Sequence, residues 1–184
     1  SSKELSPKNV MSGVYKISFG ANHAVAIRDD GSLLVWGDNS SRQIGQSANS
    51  VSSPTKLKYR DIGFVDAWAK ANYTILLGDD GKFYGLGENG SYQLGNGRSS
   101  NASSPVENPY LEGASSIRLG NNHGLALIGS DIYGWGTNSS GELGLLPRAA
   151  TIPNNLSLGL SVLAYGIGDS HSAFLDASGD VYSL

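Results

Sequence analysis

Residues Gly85–Gly95 read GLGENGSYQLG, and the stretch recurs as VWGDNSSRQIG at Val35–Gly45 and GWGTNSSGELG at Gly134–Gly144. Each copy places Trp or Leu before a glycine, Asn two residues on, then a polar residue, Ile or Leu, and a closing glycine. The leading glycines Gly37, Gly87 and Gly136 are spaced by 50 and 49 residues, and so are the closing Gly45, Gly95 and Gly144. Self-similarity at a fixed period of this size marks an array or a propeller and outranks any local reading.

Two further landmarks keep the register. FGANHAVAI at Phe19–Ile27 returns as AKANYTILL at Ala69–Leu77, LGNNHGLAL at Leu119–Leu127 and IGDSHSAFL at Ile167–Leu175, with His23, Tyr73, His123 and His171 in equivalent places. Pro7, Pro54, Pro105 and Pro153 mark the end of each period. Asp29-Asp30-Gly31 and Asp79-Asp80-Gly81 become the shorter Gly129-Ser130 in the third unit, with Ser178-Gly179 in the fourth. All are hairpin turns, where Gly or Asx tolerates a positive φ.

The second unit shows how one period folds. Phe64–Lys70 alternates apolar with polar or small residues, Tyr73–Leu77 is a short apolar run, and Lys82–Leu86 follows the Asp-Gly turn. An extended piece of the Pro54–Leu57 type then completes four strands, a to d, and no segment has a capped 3.6-residue period. One such sheet cannot bury two faces alone, whereas radial packing buries both. The fold class is therefore all-β, a β-propeller of four-stranded blades. It has about four blades' worth of strands in one domain or partial propeller over 1–184, with units near 13–57, 63–106, 114–155 and 161–184. Counting Ser6–Val10 as a lone d strand, the expected total is 16 strands.

Composition narrows the function classes. The chain has 184 residues, 25 glycines, no cysteine and a formal net charge of −3. Disulfides and Cys-ligated zinc are excluded. Lys and Arg are not clustered, so nucleic acid is not an expected partner. No apolar run approaches the roughly 18 residues of a membrane span. The start, SSKELSPKNV, is too polar for a signal peptide, and an intracellular setting, cytoplasmic or nuclear, is expected. Six Asn-x-Ser/Thr acceptors, at Asn39, Asn72, Asn89, Asn101, Asn138 and Asn155, are what a Ser- and Asn-rich chain generates by chance.

Gly20-Ala21-Asn22-His23, Asp30-Gly31, Trp36-Gly37-Asp38-Asn39 and Gln43-Ile44-Gly45, with their counterparts in the next two units, resemble the repeats of the regulator of chromosome condensation family. The resemblance runs from about Ser6 to Leu184. It implies a β-propeller, usually of seven blades, which at this period would need roughly twice this chain. It also implies two candidate activities: protein binding, and guanine-nucleotide exchange on a small GTPase through a protruding loop. All connections here are short, which favours a non-catalytic protein-binding scaffold. A surface or viral module recognising receptors or glycans is a further alternative.

The candidate residues follow. Repeat-equivalent His23, His123 and His171 read as structural, bonding main chain within their own blades, because a whole sheet separates equivalent positions and Tyr73 replaces one of them. Trp36, Leu86 and Trp135 read as core, and Gly37, Gly87 and Gly136 as turn glycines. No metal, cofactor or catalytic residue is assigned: the Asp pairs are turn chemistry, and no P-loop or nucleophile elbow is present. In the family the loop residue before Gln-Leu-Gly is usually Gly. Gly141 keeps it, while Arg42 and Tyr92 replace it at a local cost of about 1 kcal/mol; tolerated drift in an exposed loop and placement for partner contact are both open, and the contact reading makes them candidate partner residues. Tyr59, Arg60, Arg98 and Tyr110, read as lying in the connections after the d strands, extend that surface. The partner expected is a protein, with a small GTPase among the candidates. Two ring geometries are open: closure of four blades by Ser6–Val10, or a half-ring completed by self-association or by further sequence. The half-ring is favoured, because the family's sheet packing does not suit the wide angle of four blades.

Overall fold

The computed structural model describes Ser6, residues 8–146 and residues 149–184. Three four-stranded antiparallel sheets and one of three strands follow one another along the chain. The first holds β1 (Val14–Phe19), β2 (His23–Arg28), β3 (Leu33–Asp38) and β4 (Ser50–Leu57). The second holds β5 (Phe64–Lys70), β6 (Tyr73–Gly78), β7 (Phe83–Gly87) and β8 (Ala102–Glu107). A 3-10 turn, Pro109–Leu111, leads to β9 (Ala114–Leu119), β10 (His123–Ile128), β11 (Asp131–Gly136) and β12 (Ala150–Asn155). The last sheet is β13 (Val162–Ile167), β14 (Ser172–Asp176) and β15 (Val181–Ser183). Among the described residues no helix is long and apolar enough to cross a membrane.

Strand order is sequence order in every sheet, with a–b and c–d connections at one end and b–c and d–a connections at the other. Three apolar clusters fill the three gaps between consecutive sheets. Val25, Ile27, Val35 and Ile44 of the first meet Phe64, Ala67, Leu76 and Leu86 of the second. Tyr73, Ile75 and Leu94 meet Ile117, Ala126 and Trp135, and Leu125, Ile132 and Leu143 meet Phe174, Tyr165 and Leu184. Each sheet is thus buried on the faces it shares with its neighbours, the packing of propeller blades.

One expected strand is missing. Pro7 lies outside the described residues, and the described remainder of Ser6–Val10 forms no strand. Val10, 79% exposed, is the one large apolar side chain in that polar stretch and finds nothing to pack against. Among the described residues there are fifteen strands, against the expected 16. Among the described residues, no strand pairing or apolar cluster joins the first and last blades. Ile17 is 47% exposed on the outer face of the first blade, where its equivalents Ala67 and Ile117 are buried, and Phe19 is 62% exposed, where its equivalents Ala69 and Leu119 pack against the preceding blade.

A hydrogen bond crosses each blade gap at the same place. The carbonyl of Gln43 accepts from Thr74 Oγ1 at 3.0 Å, that of Gln93 from Trp135 Nε1 at 2.7 Å, and that of Glu142 from Ser172 Oγ at 2.9 Å. The donor alternates between strands b and c because those positions are cross-strand partners: Thr74 faces Leu86, and Gly124 faces Trp135. A short hydroxyl goes with Leu, and the indole goes with a glycine, since a Cβ on Gly124 would lie 2.2 Å from the Trp135 ring. Trp36, paired with Ala24 on the outer face of the first blade, makes no such bond.

Gly124→Thr alone is therefore expected to lower stability by about 2–3 kcal/mol through overpacking. Trp135→Leu alone costs about 3 kcal/mol through the cavity and the unpaired carbonyl. The double variant recreates the Thr74–Leu86 arrangement and should recover about 2 kcal/mol relative to the sum. Strict additivity in urea-unfolding midpoints would show that the two donors are not interchangeable.

Candidate functional site

The motif loops that join strands c and d are built identically. At Gly37, Gly87 and Gly136 φ is +100°, +98° and +96°, and an added Cβ would lie 2.3–2.4 Å from the carbonyl oxygen of Asn22, Asn72 or Asn122. Only glycine allows strand c to run this close to the a–b turn. The buried Asn two residues on then folds the loop around its amide. Asn39 Nδ2 donates to the carbonyls of Gln46 and Ala48, and its Oδ1 accepts from Ile44 N. Asn89 bonds Arg98 O and Leu94 N, and Asn138 bonds Leu145 O and Leu143 N, in the same way. Three of the six glycosylation-type acceptors are therefore internal staples with no room for a glycan. Gln43 and Gln93 accept from the main chain of Ser41 and Ser91, as Glu142 does from Ser140.

At the tip of each loop the chain takes a left-handed residue: Arg42 at φ +70°, Tyr92 at +62° and Gly141 at +86°. Arg42 and Tyr92 are half-buried. Topology divides the six candidate contact residues. Arg42, Tyr92 and Arg98 stand at the end of the blades that carries the c–d loops. Arg98 precedes β8 and does not follow a d strand, which corrects its expected place. Tyr59 and Arg60 follow β4, and Tyr110 sits in the 3-10 turn after β8, all at the opposite end with the Asp-Gly turns. They do not form one surface. The sequence could not separate them, because every short connection looks alike until strand direction is counted.

Residues 14–43 match one family model described as "Regulator of chromosome condensation (RCC1) repeat", and residues 80–127 match a second of the same description. The chain is 30% identical over 181 residues to human "Probable E3 ubiquitin-protein ligase HERC6", covering 91% of this chain and 18% of the relative. It is 25% identical over 146 residues to bovine "Secretion-regulating guanine nucleotide exchange factor", covering 68% and 32%. Human WBSCR16 superposes with a TM-score of 0.78 at 23% identity, over 93% of this chain and 46% of that one. The chain belongs to the regulator of chromosome condensation repeat family. It spans a third or less of the length of these two curated relatives.

The Gly-x-x-His signature of these condensation repeats has a packing origin. The imidazoles of His23, His123 and His171 fold back over Gly20, Gly120 and Gly168, where a Cβ would lie 2.0–2.6 Å from the ring. The second blade has Lys70 in place of that glycine and Tyr73 in place of the histidine. The tyrosine extends instead into the third blade, where its hydroxyl donates to the carbonyls of Gly120 and His123. The expectation that the histidines bond main chain within their own blades is not met. His23 Nε2 pairs with the Thr74 hydroxyl of the next blade at 2.9 Å, and neither ring nitrogen of buried His123 has a partner. The rings of His23 and His123 lie toward the next blade, and in all three units stacking on glycine, not a local hydrogen bond, fixes the ring.

Burial holds the His23 imidazole well below the usual histidine range, at about 4. Unfolded, it titrates near 6.5. The unfolded chain therefore takes up a proton between pH 6.5 and 4 that the fold refuses. Stability is fully present above about pH 6.5 and is lost as pH falls toward 4. At pH 4.5 His23 should account for a loss of about 2–3 kcal/mol relative to pH 7. His23→Gln should flatten the dependence of the urea midpoint on pH across this window, and an unchanged slope would remove His23 as its cause.

Proposed function

We propose that this chain is a non-catalytic protein-binding scaffold whose partner surface is the end of the blades bearing the c–d loops, with Arg42 and Tyr92 as anchors and Arg98 beside them. One observation carries the reading. Three loops of identical construction reach their tips in left-handed backbone, yet only the third uses glycine there. An Arg and a Tyr held in that conformation, at about 1 kcal/mol each, are residues whose side chains are wanted at the tip. Both types are enriched at binding hot spots. The staples of buried Asn and Gln supply the rigid base that an anchor side chain needs. An intracellular setting suits this role.

The name of the bovine relative favours guanine-nucleotide exchange on a small GTPase as a second reading. The c–d loops here run 11, 14 and 13 residues and are stapled by buried Asn, with no separate protruding segment among the described residues.

Arg42→Gly combined with Tyr92→Gly tests the scaffold reading. Stability should stay level or rise by about 1 kcal/mol, since glycine fits that backbone. Quantitative recovery of bound proteins on the immobilised chain should fall. Recovery of the same proteins at the same strength would remove these loops from the contact surface, and accelerated nucleotide release from a small GTPase would replace the scaffold with the exchange reading.

A further inference from the structure

We infer a second binding site at the opposite end of the first blade, a cationic cleft that takes an acidic segment of a protein partner. The cleft lies between the Asp-Gly turn and the connection from β4 to β5, and encloses about 360 Å³. Equivalent clefts occur in the second and third blades, at about 200 and 250 Å³. The repeat supplies the shape, so the differences lie in the side chains. The first cleft is lined by Lys56, Lys58 and Arg60 against Asp30 and Asp61, an excess of one positive charge. The second has Lys82 against Asp80, Glu107 and Glu112, an excess of two negative charges, and the third has Asp131 alone.

The cations of the first cleft have no carboxylate partner at ion-pair distance among the described residues. Lys82 of the second cleft is paired with Glu107 at 3.1 Å, whereas none of the ion pairs among the described residues engages Lys56, Lys58 or Arg60. Lys56 Nζ donates only to the hydroxyl of Ser32, at 2.7 Å, and Asp30 is occupied by the main chain of that same Ser32. Arg60 is held in left-handed backbone at φ +50°, with its guanidinium 5.0 Å from the centre of the Tyr59 ring. Tyr59 stands edge-on to Tyr84, whose hydroxyl donates to Asp80 at 2.6 Å. The cation is thereby presented on a buttressed aromatic shelf. The floor is fixed as well: Phe64 N donates to Gly31 O at 2.9 Å, and the α-carbon of Gly63 would sit 3.5 Å from a Cβ on Gly31. A strained Arg, two Lys that form no ion pair and a rigid base fit carboxylates on a peptide, for which Arg supplies the planar fork.

The test is fluorescence anisotropy with a dye-labelled peptide of alternating Glu and Gly, its Gln-for-Glu counterpart, and a single-stranded oligonucleotide of matched charge. The wild-type chain should bind the Glu peptide at least tenfold more tightly than the Gln peptide, and more weakly as ionic strength rises. Lys56→Gln, Lys58→Gln and Arg60→Gly together should lower that affinity at least tenfold. Arg60→Gly suits the left-handed backbone, so the variant keeps its fold, checked by its melting temperature. Glu107→Gln in the second cleft should leave affinity unchanged. Equal binding of the Glu and Gln peptides, tighter binding of the oligonucleotide, or a triple variant that binds like wild type would each overturn the assignment.

Discussion

One main-chain carbonyl per blade gap, that of Gln43, Gln93 or Glu142, joins this structure together. Each lies in a c–d loop and is buried against the next blade, where it would be left unpaired without a donor from across the gap. An unpaired buried carbonyl costs about 1–3 kcal/mol, so the donor constrains two strands of the following blade at once. Thr74 and Ser172 meet it with a hydroxyl from strand b, and Trp135 meets it with an indole from strand c, which is possible only because Gly124 vacates the facing position. The apolar clusters provide most of the area between blades, but they are not directional. The carbonyl fixes which height of one blade meets which height of the next.

That fixed height determines where the loops stand. The residue that offers the carbonyl, Gln43, Gln93 or Glu142, also braces the loop tip through its side chain. The left-handed residue precedes it by one position. A change in blade packing is therefore felt at Arg42 and Tyr92, and the loop surface is as rigid as the gap beneath it. The opposite end is tied across the first gap by main chain instead, Phe64 N donating to Gly31 O at 2.9 Å. Its clefts are bounded by hairpin turns, shorter in the third unit, and by d–a connections of six residues each that differ between units in charge.

The fold was legible because its signals repeat. The period of 50 and 49 residues, the Asp-Gly turns and the alternation in Phe64–Lys70 located β5, β6 and β7 to within a residue or two. Ser6–Val10 misled because a Ser-Pro pair resembles a d strand, whereas a strand also needs apolar side chains to bury, and there Val10 is alone. The histidines misled for another reason. Their fixed spacing from Gly20, Gly120 and Gly168 records a ring lying on a bare α-carbon, which looks in sequence like a polar motif. The alternation of Ala24 with Trp36, Thr74 with Leu86, Gly124 with Trp135 and Ser172 with Leu184 was present in the sequence. Its meaning needs the strand register that makes those residues neighbours.

A repeat makes departures informative. Where three units share a backbone, any residue that breaks the pattern at a cost must be explained by something other than the fold. Arg42 and Tyr92 depart in this sense from Gly141, and Arg60 departs from the turn chemistry around it. The departures fall at both ends of the blades, the loop tips at one and the first cleft at the other, and none lies in the buried gaps. The gaps vary in compensated pairs, hydroxyl with Leu, indole with a small residue, or Lys70 with Tyr73 in place of glycine with histidine, because an uncompensated change there would leave a clash or an unpaired carbonyl. The blade ends carry no such coupled constraint. In the two end regions one side chain can change while the blade beneath it stays the same, and there the individuality of this chain is concentrated.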